Sequence, residues 1–188
     1  MRPALAREEA GCYSAPMRMV LARGPLLIAL ASFVVVGSAI ASQVWGGLAP
    51  CTLCWYQRVP YAVTMVLGLA GAALLVQGRP RAAALLTFWC GVAFVLGAVI
   101  AAFHVGVEQD WWDWASACTA TGAGQGRTVD ELRALLETAP VVRCDEVQWS
   151  LFGISMAGYN FLVSLALAAF AAVVTRDLER RPERSAKA

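Results

Sequence analysis

The charged residues of this 188-residue chain leave four long gaps, at 24–57, 59–78, 82–107 and 147–175. Within them lie apolar stretches over about 25–45, 60–77, 82–103 and 152–174. Each has the length that carries a helix across a bilayer core, which takes roughly 17–25 residues. Only helices and closed barrels satisfy every backbone polar group in lipid, and none of the four shows the alternation of a barrel strand. Gly68, Gly71, Gly91 and Gly97 suit close contact between such helices. Composition disposes of the alternative, core helices in a soluble protein: 59% of the residues are hydrophobic and 15% charged, against about 25% charged in a soluble domain. Disorder, which needs low hydrophobicity and high net charge, is excluded by the same numbers. The chain is expected to be an all-α membrane protein, a four-transmembrane-helix bundle. Residues 1–24 form its N-terminal tail, 25–175 its membrane domain and 176–188 its C-terminal tail.

Lys and Arg set orientation. Eleven basic residues fall in the two tails and the 78–81 turn, whereas the segments 46–58 and 104–150 hold only Arg58, Arg127, Arg133 and Arg143. A net charge of +2 thus divides into +6 on one side and −4 on the other. Both termini are expected in the cytoplasm, with a short first and a long second loop facing outward. Six of the seven tryptophans, Trp45, Trp55, Trp111, Trp112, Trp114 and Trp149, fall at or beyond the outer boundary, as an interfacial belt would. Ala39-Ile40-Ala41 also resembles a signal-peptide cleavage site, but the apolar run before it exceeds the usual h-region. Met17 or Met19 would begin an equally basic tail.

The long loop contains Gly122, Gly124 and Gly126, then Thr128-Val129-Asp130-Glu131, which has the form of a capping box. A short amphipathic helix over about 129–138 follows, lying on the membrane or standing as an ordinary surface helix; both remain open.

Topology sorts the six cysteines. Cys12 falls in the cytoplasmic tail and Cys90 within the third span, both read as free thiols acting as small apolar residues. Cys51, Cys54, Cys118 and Cys144 share the oxidising side. Cys118 and Cys144 alone would be read as a structural staple worth about 3 kcal/mol. Cys51-x-x-Cys54 is different, because so tight a ring is more often a redox or metal motif. Trp55 stands where haem attachment needs a histidine, and zinc would need further ligands from the other outer cysteines or His104. An oxidising compartment opposes zinc, so no metal is expected. Cys54 lies where the second helix begins, and the helix end and Arg58 both favour its thiolate, the attacking species. Arg58 is the sole charge between positions 24 and 78; it is either a snorkelling cation or, beside this motif, functional. His104, the only histidine, is either an interfacial polar residue or a hydrogen-bond donor to a quinone carbonyl.

Four spans, Pro50-Cys51-x-x-Cys54-x-x-x-Arg58 before the second and two further cysteines before the fourth resemble the DsbB family of disulfide bond formation proteins. Gln43, the run Cys144-Asp145-Glu146-Val147-Gln148-Trp149 leading into Phe152-Gly153-Ile154-Ser155-Met156, and Phe103-His104-Val105-Gly106-Val107-Glu108 support the likeness, which covers about 26–175. The resemblance implies a bacterial inner-membrane oxidoreductase with periplasmic redox loops and a membrane quinone, ubiquinone or menaquinone, as cofactor. It implies that a DsbA-like thioredoxin-fold oxidase attacks a Cys118–Cys144 disulfide at Cys118. Cys144 then attacks Cys51, and Cys54 engages the quinone beside Arg58 and His104. The glycines at 122, 124 and 126 fit the loop movement this relay needs. Vitamin K epoxide reductase-like proteins share the four spans and the chemistry but carry their C-x-x-C after the loop cysteines, the reverse of the order here. Two readings from other classes stand beside the oxidase: a disulfide-stapled scaffold without turnover, and a metal-handling protein using Cys51 and Cys54.

Overall fold

The computed structural model describes residues 20–21, 23–112 and 143–185, the last five as backbone only. Four helices dominate: α1 (Gly24–Val44), α2 (Thr52–Val76), α3 (Pro80–Glu108) and α4 (Met156–Ser185). A two-stranded antiparallel hairpin, β1 (Ser150–Leu151) and β2 (Ile154–Ser155), precedes α4. All four helices are long and apolar enough to cross a membrane, the fourth over Met156–Arg180. The four-span reading therefore holds. Cys12, Cys118, Trp114, the loop glycines and the 129–138 helix lie outside the described residues.

α2 begins at Thr52, close to the expected helix start at Cys54 and ahead of the apolar stretch at 60–77, because Cys51 caps it and Arg58 is carried inside the helix. Pro60 is tolerated within it, the bilayer setting favouring prolines that neighbouring helices cover. Here the cover is α3: a Cβ on Gly97 would stand 3.3 Å from the Pro60 ring. α3 likewise runs past 103 to Glu108, which places His104 a full turn inside the helix. α1 and α3 each open on a proline in the first turn, where its missing N–H costs nothing. The α2–α3 turn is a Schellman motif: Gly78 takes φ +72°, its N–H reaches Leu75 O, and Arg79 N–H reaches Leu74 O at 2.9 Å.

Small residues bring the helices together as their positions suggest. A Cβ on Gly68 would lie 2.7 Å from the Pro25 carbonyl oxygen of α1, and one on Gly71 would lie 3.2 Å from the Pro25 ring. Gly91 faces Ala171 across the α3–α4 contact. α3 packs most extensively on α4 and on α2, and α1 packs on α2, but α1 and α4 touch little. At one end of the bundle α1 and α4 do meet, Gly24 lying directly against Val174, within an apolar cluster of Leu21, Ala83, Ala84, Val174 and Leu178. Midway, Ile28, Tyr61, Cys90, Phe94 and Ala171 form a second cluster, so Cys90 is a packed, buried thiol. At the other end, the thiol end, a cavity separates α1 from α4.

Candidate redox site at the thiol end

The geometry of the C-x-x-C follows from its place at a helix start. Cys51 is the N-cap of α2, extended at φ −76°, ψ 173°, and its sulfur accepts the Cys54 N–H at 3.4 Å. The three-residue spacing then lays the Cys54 side chain back over the cap, as in any N-cap/N3 pair. The two sulfurs stand 3.1 Å apart as free thiols, Cys51 S–H donating to Cys54 Sγ. That donated bond, followed by burial, pushes the Cys51 thiol up to about 12 from an ordinary 9.0.

Cys144 is 1% exposed and packs with Cys51, Leu53 and Val107, with Cys54 and Phe103 at the edge of the cluster. The turn that carries it is braced by Arg143, whose guanidinium pairs with Asp145 and, at 3.7 Å, with Glu146. Arg143 holds the Asp145 carboxyl below its usual value. Of the four cysteines read as exchanging, three thus gather at one place; the fourth, Cys118, lies outside the described residues.

Arg58 stands one turn along α2 from Cys54. Its Nη1 donates to Gln43 Oε1 at the end of α1, 3.1 Å, and the guanidinium lies 4.8 Å from the Trp55 ring centre. His104 departs from the interfacial alternative: it is 4% exposed, with Nε2 3.6 Å from Cys51 Sγ and Nδ1 2.8 Å from Gln57 Nε2. Trp45, Trp55, Trp111, Trp112 and Trp149 all belong to this end and are 40% or more exposed. Trp112 covers Gly106 at a distance no side chain there would permit, and stacks on Phe103 at 5.4 Å.

Cys51, Cys54, Arg58 and His104 line one wall of the cavity, about 570 Å³. Val35, Val36 and Ala39 of α1 and Ala157 and Val163 of α4 supply an apolar wall. A flat apolar ring with polar atoms at its rim fits such a space: drug-sized sites are apolar with a few placed polar groups. A metal fits less well. The Cys51, Cys54 and His104 ligand atoms lie within 4.8 Å of one another, but thiolates on a tetrahedral zinc stand about 3.8 Å apart, given Zn–S of about 2.3 Å. The sulfurs are closer than that, at 3.1 Å.

Several polar residues of the site carry no recognised motif. Gln57, Tyr61, Ser164 and the half-buried Asn160 form a chain of hydrogen bonds behind His104, and Glu108 accepts from Ser155 beside it. The signal that marks them is polarity within charge-free apolar segments, where a polar side chain faces the bundle interior by default.

A four-helix membrane bundle with a reduced vicinal dithiol capping one helix belongs to the class of membrane thiol–disulfide oxidoreductases. The family model of disulfide bond formation protein DsbB matches residues 22–174. The chain is 28% identical to disulfide bond formation protein B of Polaromonas sp. over 90% of its length and 96% of the relative's. It is 30% identical to that of Dechloromonas aromatica, over 87% and 94%, and 31% to that of Xanthomonas axonopodis pv. citri, over 78% and 85%. No solved structure matches significantly. The chain belongs to the DsbB family: it is a multi-pass inner-membrane protein of disulfide bond formation and a disulfide-forming oxidoreductase.

Proposed function

We propose that the protein reoxidises a periplasmic DsbA-like thiol oxidase and passes the electrons through two cysteine pairs to a membrane quinone. The observation that carries this reading is the convergence of Cys51, Cys54, Arg58 and His104 on one apolar cavity, with Cys144 packed against Cys51 beside it. Both termini lie in the cytoplasm and the thiol end faces the periplasm, as the +6/−4 charge division favours.

Each transfer is an attack of a thiolate on a disulfide sulfur. A reduced partner opens the Cys118–Cys144 disulfide at Cys118, forming the mixed disulfide and releasing Cys144 as thiolate. Cys144, packed against Cys51, attacks the Cys51–Cys54 disulfide at Cys51, and Cys54 leaves with the electron pair. A second partner thiol resolves the mixed disulfide and frees Cys118, which attacks Cys144 of the Cys51–Cys144 bond, re-forming Cys118–Cys144 and releasing Cys51. Two electrons and two protons have then passed from the partner dithiol to the Cys51/Cys54 dithiol. Bound quinone, ubiquinone or menaquinone, supplies the two-electron, two-proton sink. Cys54 and Arg58 line the cavity that would hold it, Arg58 would supply positive charge at the rim, and Gln43 fixes the guanidinium.

The test is quinone reduction by purified protein supplied with a reduced thioredoxin-fold oxidase. Wild type should turn over, and Cys54→Ala should lose the activity while keeping its helices; unchanged turnover in Cys54→Ala would sink the reading. Cys144→Ala should accumulate an intermolecular disulfide at Cys118, visible on a non-reducing gel. A scaffold would show neither effect.

A further inference from the structure

The polar chain behind His104 has a direction. His104 Nδ1 lies 2.8 Å from Gln57 Nε2, and Gln57 Oε1 lies 2.6 Å from Asn160 Nδ2. Asn160 Oδ1 accepts from the Tyr61 hydroxyl, which stands 2.8 Å from Ser164 Oγ. The chain passes from α3 to α2 to α4, and Gln57, Tyr61, His104 and Ser164 are all buried. Both amides are engaged at both ends, so turning one forces the other to turn. Two complete arrangements exist. In one, the Gln57 NH₂ donates to Nδ1, leaving the ring proton on Nε2. In the other, the Gln57 carbonyl accepts from Nδ1–H, and Nε2 keeps a lone pair. The hydroxyls of Tyr61 and Ser164 close either arrangement, because each can donate and accept.

Glu108 breaks the tie. Its carboxylate only accepts; Oε1 lies 4.0 Å from His104 Nε2, the other oxygen takes the Ser155 hydroxyl, and the side chain is 6% exposed. Its charge favours a proton on Nε2, which selects the first arrangement. We propose that Gln57, held by Asn160 and Tyr61 and directed by Glu108, fixes His104 as its Nε2–H tautomer and so presents an N–H to the Cys51 sulfur 3.6 Å away. Gln57 is a positioning residue, acting through the imidazole. When a disulfide to Cys51 breaks, that sulfur takes the bonding electron pair as a thiolate, and the Nε2–H stabilises the anion without leaving the ring. One such pre-aimed donor to an oxyanion is worth about 10²–10³ in rate. Sulfur is the weaker acceptor, so loss of the tautomer should slow exchange at Cys51 by about tenfold.

The inference rests on the dithiol-oxidase reading, but its readout does not. His104 is the only histidine of the chain, so reduced protein labelled at the imidazole nitrogens, purified without a histidine tag, gives one ring to follow by NMR. Wild type should show a protonated Nε2 and an unprotonated Nδ1. In Gln57→Glu the carboxylate only accepts, so the unprotonated Nδ1 signal should vanish. Asn160→Leu, which leaves the α2–α3 contact in place, should give a mixture of tautomers. A wild-type ring with its proton on Nδ1, or variants whose spectra match wild type, would overturn the proposal. Neither partner, quinone nor turnover enters the spectrum, so failure of the oxidase assay and failure of the tautomer assignment are read separately.

Discussion

The two ends of the bundle use the same four helices in opposite ways. At the far end α1 and α4 touch, Gly24 against Val174, and the interior is Leu21, Ala83, Ala84, Val174 and Leu178 with no buried charge among them. At the thiol end the same two helices part around the cavity, and the interior holds thiols, an imidazole, two amides and a carboxylate. Close packing at one end holds the separation at the other. A helix pair that met along its whole length would leave no wall for a ligand; the α2–α3 contact holds Cys51 against His104 independently of it. The division of labour predicts that substitutions at the far end change stability, and those at the thiol end change chemistry.

The largest effect should come from Cys51→Ala. Turnover with a reduced thioredoxin-fold oxidase should fall below about one thousandth, since a covalent carrier is lost. Stability should change only by the loss of a helix cap, about 1 kcal/mol. Retained turnover would break the comparison at its centre. Next comes Gly68→Leu, which places a side chain where even a Cβ would lie 2.7 Å from the Pro25 carbonyl oxygen. Overpacking of this kind costs about 1–3 kcal/mol, to be read as earlier thermal unfolding in detergent, with turnover per folded molecule unchanged. A loss of turnover at full stability would show that the far end is not merely structural.

Alkylation of reduced protein sharpens the picture within the thiol end. With its thiol pushed up to about 12 from 9.0, Cys51 carries about a thousandfold less thiolate than an ordinary cysteine near neutral pH. The greater nucleophilicity of a more basic thiolate returns about thirtyfold of that. Cys51 should therefore alkylate about thirtyfold more slowly than an unperturbed thiol. Its rate should still climb at about pH 11, where an ordinary cysteine has levelled off. The sign follows from the raised value: the folded state keeps a proton that the unfolded chain releases, so this contribution to stability is complete below 9.0 and is lost as pH rises toward 12. Peptide mass spectrometry of pH-stepped samples gives both the rate and its slope.

Much of this was legible before any coordinates. Charge-free gaps of spanning length identified four helices, and Gly68, Gly71, Gly91 and Gly97 lie at helix contacts as their size suggests. Cys51, Cys54, Arg58 and His104 stood out by type and spacing, and they line one cavity. The start of α2 was legible within two residues, at Cys54, but the apolar stretch counted from 60 did not show how Arg58 and Pro60 are accommodated inside the helix, where Arg58 finds Gln43 and Pro60 finds Gly97. The hairpin before α4 was not foreseen: two-residue strands carry no periodicity, and Gly153 at φ +77° is the only strong turn signal there. Gln57, Asn160 and Tyr61 were passed over because single polar residues on three turns of helix form no motif. Their meaning lies in which neighbouring helix each faces.

The smallest effect should come from the middle of the bundle, where the two regimes meet. Ser32 of α1 and Thr64 of α2 are fully buried and bonded to each other at 2.8 Å. Each hydroxyl has one proton to give: Ser32 donates to Ile28 O at 2.9 Å, and Thr64, whose oxygen also lies 3.1 Å from Tyr61 O, donates to Ser32. Thr64→Val keeps the shape and removes the oxygen, but leaves Ser32 satisfied by Ile28. Interhelical hydrogen bonds in membranes are worth about 0.6 kcal/mol on average, because a partly unfolded chain finds other partners there. Thr64→Val should therefore lower stability by about that amount, measured by denaturant unfolding in detergent against wild type. Thr64 stands one turn along α2 from Tyr61, which belongs to the chain that ends at His104. If the polar chain and this pair act independently, the imidazole spectrum of Thr64→Val will match wild type. A shift in that spectrum would mean that the α1–α2 contact also helps to set the tautomer, and the boundary between the two ends would then lie deeper in the bundle.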